Sequence, residues 1–112
     1  MIARSQAYLW AAQRISAMVL ALCVVVHLVT LIYAVRGGLS AAEILERTRG
    51  SYTWGAFYAI FVMAVAVHAP IGLRAILNEW FGLRGRKLEV TVGIVGLVLM
   101  VLGLRAVWAV VA

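Results

Sequence analysis

The residue most able to do chemistry in this chain is His68. Residues 50–73 carry no charge, so its imidazole lies inside a long apolar run, six residues short of Arg74. Titratable groups in such a setting are costly and mark functional sites. Neutral imidazole is the commonest metal ligand, and a haem held in a membrane takes its axial ligands from helix interiors. Ala64 and Gly72 fall one helical turn before and after His68, and their small side chains would leave room for a flat porphyrin. Arg74 lies about 9 Å further along the axis, near the membrane surface, where haem propionates need cations. These residues make His68 a candidate haem ligand. The alternative is a histidine hydrogen-bonded to another helix.

His27 is the second imidazole in an apolar run. It lies about 20 Å from Arg14 along a helix, against about 9 Å between His68 and Arg74. If the two arginines mark the same membrane face, His27 sits roughly 10 Å deeper than His68. Two axial ligands of a haem standing on edge need nearly equal depth, so the pair is not expected to clamp one iron. Either His27 serves a second haem with a partner chain, or it packs between helices. Cys23 precedes His27 by one turn and is the single cysteine, so no internal disulfide forms. A metal site made by one Cys and one His on a lone helix is not expected, and Cys23 reads as a small packing residue.

The elements that must position these side chains follow from hydropathy. Of 112 residues, 66% are hydrophobic, and the mean hydropathy is +1.07. Residues 15–35, 50–73 and 90–104 are free of charge. Spanning a bilayer takes about 20 apolar residues. The first two runs suffice, and the third does so if Arg105 snorkels to the far interface. The expected fold is an all-α membrane protein forming one domain over residues 1–112, with transmembrane helices at about 15–36, 52–78 and 89–111. Met1–Gln13 reads as a mildly polar segment with Tyr8 and Trp10 at an interface, the first helix starting at Arg14. Gly37-Gly38 end that helix. Ser40-Ala-Ala-Glu43 is a capping box, which predicts a short amphipathic helix over about 41–48 in the first, outer loop, stopping at Gly50. Pro70 predicts a kink near Ala66. Gly96 and Gly103, seven apart, offer one face for close helix packing.

A net charge of +6 does not point to nucleic acid, because the cations gather at helix ends and form no stripe. Arg4, Arg14, Arg74, Arg84, Arg86 and Lys87 fall on one side of the membrane, and Arg36, Arg47, Arg49 and Arg105 on the other. That bias favours a cytoplasmic N-terminus. The first apolar run is too long for a cleaved signal and no small-x-small site ends it. Leu22 just before Cys23 is too large for a lipoprotein cleavage box.

Two segments of the chain resemble the three-helix membrane-anchor subunits, C-type and D-type, of succinate dehydrogenase and fumarate reductase (respiratory complex II). In the first helix Gln13-Arg14-Ile15-Ser16-Ala17 is similar to the family's basic or polar residue, Arg, any residue, Ser or Thr, and small residue. In the second, His68, Gly72 and Glu79 match its His, Gly and acidic positions. Arg74 is a C-type feature; His68-Ala-Pro-Ile-Gly72 and the pair Glu79-Trp80 look D-type. The likeness covers the whole length and helix number. It implies a haem b-binding anchor in a bacterial inner (plasma) membrane, paired with a second anchor and docked on an iron–sulfur subunit and a flavoprotein. Electrons would reach quinone near the cytoplasmic face. Haem b would lie between the anchors with His68 as one axial ligand, and His27 fits the members that carry two haems. Ser16 and Arg14 match positions that line the family's quinone pocket or touch haem propionates, and Arg74 keeps the propionate role its position suggests. Arg14, Ser16, Glu79 and Trp80 match the surroundings of quinone, although the family more often has Tyr where Trp80 stands.

Plainer roles stay open beside these. Arg14 and Glu79 can serve as interface ion pairs or lipid contacts, Trp80 as an aromatic-belt anchor, and Ser16 as a hydroxyl bonded back to its own helix. Two other functions also remain: a cytochrome b anchor for another dehydrogenase, or a cofactor-free structural subunit. A proton-coupled exporter is disfavoured, since the first helix contains no carboxylate. Chemistry on the dicarboxylate cannot reside here, for want of a dinucleotide fingerprint or a cysteine cluster.

Overall fold

The computed structural model describes residues 2–112, and among these it contains helices and no strand. Four helices follow in order: α1 Ile2–Arg36, α2 Ala41–Thr48, α3 Tyr52–Phe81 and α4 Arg86–Val111. Three of them, α1, α3 and α4, are long and apolar enough to cross a membrane, as the uncharged runs require.

The first helix is longer than expected. It begins at Ile2 and runs unbroken through Arg14, where the sequence reading placed its start. Hydropathy locates the stretch that enters lipid, whereas a helix stops only at a breaker. No Gly, Pro or cap residue that outcompetes the helix interrupts residues 2–14. At 1.5 Å per residue, α1 is about 50 Å long, longer than the ~30 Å that one upright crossing of the hydrocarbon core takes.

α2 occupies the expected residues, and the Ser40 hydroxyl accepts the Glu43 backbone N–H at 3.2 Å. Ser51 repeats the device on α3, accepting from Trp54 N–H at 3.2 Å. α3 passes through Pro70 without ending. It stops at Gly82, whose φ of 65° is left-handed and costs a glycine little. The Leu83 N–H then reaches back to Leu77 C=O at 3.1 Å, and the Asn78 side-chain amide donates to Leu83 C=O at 3.0 Å.

α3 is the central helix, packed on α4 along one side and on α1 along the other; α1 and α4 make little contact with each other. Glycine sets the α3–α4 approach. A Cβ on Gly103 would lie 2.5 Å from Val62 Cγ1, and one on Gly96 would lie 3.0 Å from the Pro70 ring and 3.7 Å from the Ala66 carbonyl. Pro70 deprives that carbonyl of its helical donor, and Gly96 lets α4 close over the gap. At the far end, Thr48 Oγ1 donates to Val110 C=O at 2.5 Å, and Gly50 N–H donates to Val111 C=O at 2.8 Å. These two bonds satisfy terminal carbonyls of α4 that have no partner within the helix. The N-terminus and the α3–α4 loop thus share one end of the molecule, while α2 and the C-terminus share the other.

The interior is thin. Among the described residues only Ser16, Cys23, Thr48, Ala64, Leu88 and Val92 are buried, and no large side chain is fully enclosed. On α1, Ile15, Met18, Leu22, Val25, Val29 and Ile32 form an outward apolar stripe, each between 46% and 68% exposed. Such a stripe suits lipid or neighbouring helices, not water.

Candidate functional site

The α1–α3 contact brings His68 against Ser16. Ser16 is 6% exposed. Its hydroxyl lies 3.0 Å from the Gln13 carbonyl oxygen and 3.3 Å from His68 Nδ1. One turn towards the N-terminal end of α1, the Gln13 side chain rests on Gly72: a Cβ there would meet Nε2 at 3.3 Å. Gln13 Oε1 is buried without a hydrogen-bond partner. Gln13 thus covers the side of Gly72 that faces α1. Ala64, one turn the other way, is buried and borders an apolar groove of about 430 Å³ between α1 and α3. That groove reaches Ser16, Ala64 and Val67 without including the His68 ring. Among the described residues Ser16 is the only hydrogen-bond partner of His68, and Nε2 has none.

The Ser16–His68 contact also fixes depth. Ser16 and His68 are level, and so are Gln13 and Gly72. Counting outwards from these pairs at 1.5 Å per residue, Arg74 is level with Trp10 and Ala11, and Arg14 lies about 5–6 Å deeper than Arg74. A shared groove lined by Tyr8, Leu9 and Arg74 agrees with that register. The two arginines therefore do not mark one plane. Arg14 is exposed, and its guanidinium lies over the Trp10 ring, 5.5 Å from the centroid. Trp10 is one turn towards the N-terminus, so Arg14 snorkels outwards along α1.

His27 is deeper still. Its ring meets Tyr58 and Phe61 edge-on, with centroids 5.8 and 5.7 Å away. Those residues precede His68 by seven to ten positions, or about 10–15 Å along α3. His27 borders an apolar cavity of about 500 Å³ that also touches Tyr58, Phe61, Leu102 and Gly103. Its Nδ1 is buried and unpartnered. The two imidazoles thus differ: His68 has a hydrogen-bonded nitrogen and a free one, whereas His27 has an orphaned nitrogen inside.

The remaining candidates do not assemble into one cluster. Arg74 turns to α4, with both Nε and Nη2 2.9 Å from Glu89 Oε1. Glu79 is exposed and Trp80 is 78% exposed; neither has a hydrogen bond or ion pair among the described residues. Sequence reasoning missed Glu89, which it used only to bound a helix. The one available signal was a lone carboxylate in the first turn of α4, a position that favours negative charge. Tyr8 was assigned to the interface, yet it shares a cleft of about 500 Å³ with Pro70, Arg74 and Glu89. No group of three or more His, Cys, Asp and Glu that could hold a metal occurs among the described residues. An axial haem ligand, by contrast, is a lone side chain and needs no such cluster.

The family model for the succinate dehydrogenase/fumarate reductase transmembrane subunit matches residues 1–111. No curated protein and no solved structure matches the chain.

Proposed function

The chain belongs to the succinate dehydrogenase/fumarate reductase transmembrane-subunit family, and from that premise we propose that it is the haem b-binding anchor through which an iron–sulfur subunit passes electrons to quinone. The observation that carries the proposal is the state of His68. It is an imidazole on a helix long and apolar enough to span a membrane, bonded at Nδ1 to Ser16, with no partner at Nε2 among the described residues. A free, oriented ring nitrogen is what an axial ligand presents. The α1–α3 groove bordered by Ser16, Ala64 and Val67 is apolar, which keeps the neighbourhood of the imidazole dry.

In this reading His68 holds the iron from one side, and the second axial ligand comes from a second anchor, because His27 is too far along the helices to share the same metal. Bound haem b supplies one-electron storage within the membrane. Arg14, exposed and without a carboxylate partner among the described residues, is a cation available to propionates or to a quinone oxygen. Arg74 is already neutralised by Glu89. Trp80 and Glu79, exposed at the same end, are free to meet quinone or the docked iron–sulfur subunit. The flavoprotein completes the complex and performs the dicarboxylate chemistry. The more positive end, with the N-terminus and the α3–α4 loop, faces the cytoplasm of a bacterial cell.

The reduced-minus-oxidised spectrum of the purified complex tests the proposal. A b-type band is expected, and His68→Ala removes it. A complex with no such band, or an unchanged band in His68→Ala, refutes ligation by His68. The same measurement on His27→Ala decides between a second haem and a packing role: loss of part of the band assigns His27 to iron, and an intact band leaves it to packing.

A further inference from the structure

We infer that Ser16 is the positioning residue of His68: through the Gln13 carbonyl it fixes which imidazole nitrogen carries the proton and so which one is offered to a metal. This rests on the haem reading of His68 for its consequence, but not for its chemistry. The hydroxyl has one hydrogen. The Gln13 carbonyl, 3.0 Å away, can only accept, so that hydrogen points back along α1. The Ser16 oxygen is left with lone pairs, and His68 Nδ1 at 3.3 Å faces them. A second lone pair at Nδ1 would meet oxygen lone pairs there. Nδ1 therefore carries the proton and donates, and the chain runs Nδ1–H to Oγ, Oγ–H to C=O. The lone pair of the neutral ring sits on Nε2.

Burial makes the arrangement selective. Ser16 is 6% exposed, and a buried polar group is held to the hydrogen-bond partners it has. The alternative tautomer would need the Ser16 hydrogen to turn from the Gln13 carbonyl to Nδ1, giving up the bond back along α1. His27 is the internal contrast: no hydroxyl faces its Nδ1, and nothing comparable sets its tautomer. The same geometry commits the one Ser16 hydrogen inside the protein and leaves one oxygen lone pair free. A donor bond from Nδ1 also makes the ring a stronger electron donor at Nε2, which favours the oxidised state of a bound iron.

The test uses the full chain, labelled with 15N-histidine and placed in lipid bilayers without haem, with His27→Gln used to assign the signals. Solid-state NMR of the His68 ring should show a single neutral form protonated at Nδ1. Ser16→Ala should shift the population towards the Nε2-protonated form, and Ser16→Thr, which keeps a hydroxyl, should restore the original form. An Nε2-protonated wild type, or a Ser16→Ala spectrum identical to wild type, overturns the inference. In the haem-loaded complex, Ser16→Ala should raise the reduction potential of the b-type centre and Ser16→Thr should not; equal potentials in all three overturn the electronic part. If the tautomer responds to Ser16 but no b-type band exists, the haem reading fails while the positioning role stands.

Discussion

A side chain in a membrane helix is defined by the partner it finds, and Arg74 illustrates this best. Its sequence position suggested a cation for an anionic cofactor. In the fold its guanidinium makes two contacts to Glu89 Oε1. The pair is open to its surroundings, with side chains 39% and 57% exposed, and exposed pairs contribute at most about 1 kcal/mol. Arg74→Gln and Glu89→Gln should therefore each destabilise the anchor by under about 1 kcal/mol, measured by denaturation in detergent at low salt. The difference from wild type should fade at high salt. If Arg74→Gln instead removes the b-type band while Glu89→Gln preserves it, Arg74 is a propionate ligand that exchanges partners when the complex assembles. His68 and Ser16 carry the same lesson. Each was legible as a candidate, but their pairing was not, because they stand 52 residues apart and nothing in either helix states its rotation about its own axis relative to the other. The contact of Gln13 with Gly72 was hidden for the same reason.

The number of elements was legible because each obeys a local rule. Charge-free runs mark the three spans, a capping box starts α2, and Gly82 ends α3. The start of α1 escaped because the edge of an apolar run is not the edge of a helix. The helix spacing was partly legible: Gly96 and Gly103 share a face, and both meet α3, at Pro70 and Val62. Gly103 is the tighter contact. A side chain there must displace Val62, and overpacking of this kind costs about 1–3 kcal/mol. Gly103→Val should lower resistance to denaturation by that amount, and Val62→Ala should recover much of the loss in the double variant, as coupled neighbours do. Additive losses in the double variant would show that α4 approaches α3 elsewhere. At the other end, Thr48→Val removes a bond to Val110 C=O. It should cost about 1 kcal/mol and speed hydrogen exchange at the C-terminal turn of α4, which loses its tie to α2.

For the whole molecule the decisive question is which end faces the cytoplasm, because His68 is not central. It lies about 9 Å from Arg74, near the end that holds the N-terminus and the α3–α4 loop, whereas His27 lies towards the end of α2. Electrons from an iron–sulfur subunit must enter near His68 if that residue holds the haem. Arg4, Arg84, Arg86 and Lys87 gather at the His68 end, joined by Arg14 and Arg74; Arg36, Arg47, Arg49 and Arg105 lie at the other. Acidic residues contribute little to orientation, so the excess of two cations favours a cytoplasmic His68 end. In a Cys23→Ser background, Glu46→Cys in α2 should react with a membrane-impermeant maleimide added to spheroplasts, and Arg86→Cys at the start of α4 should react only after permeabilisation. The opposite labelling pattern would put His68 on the far side from a cytoplasmic electron donor. The entry point would then have to lie beside α2 and His27, which would make His27 and its cavity the site nearest the donor.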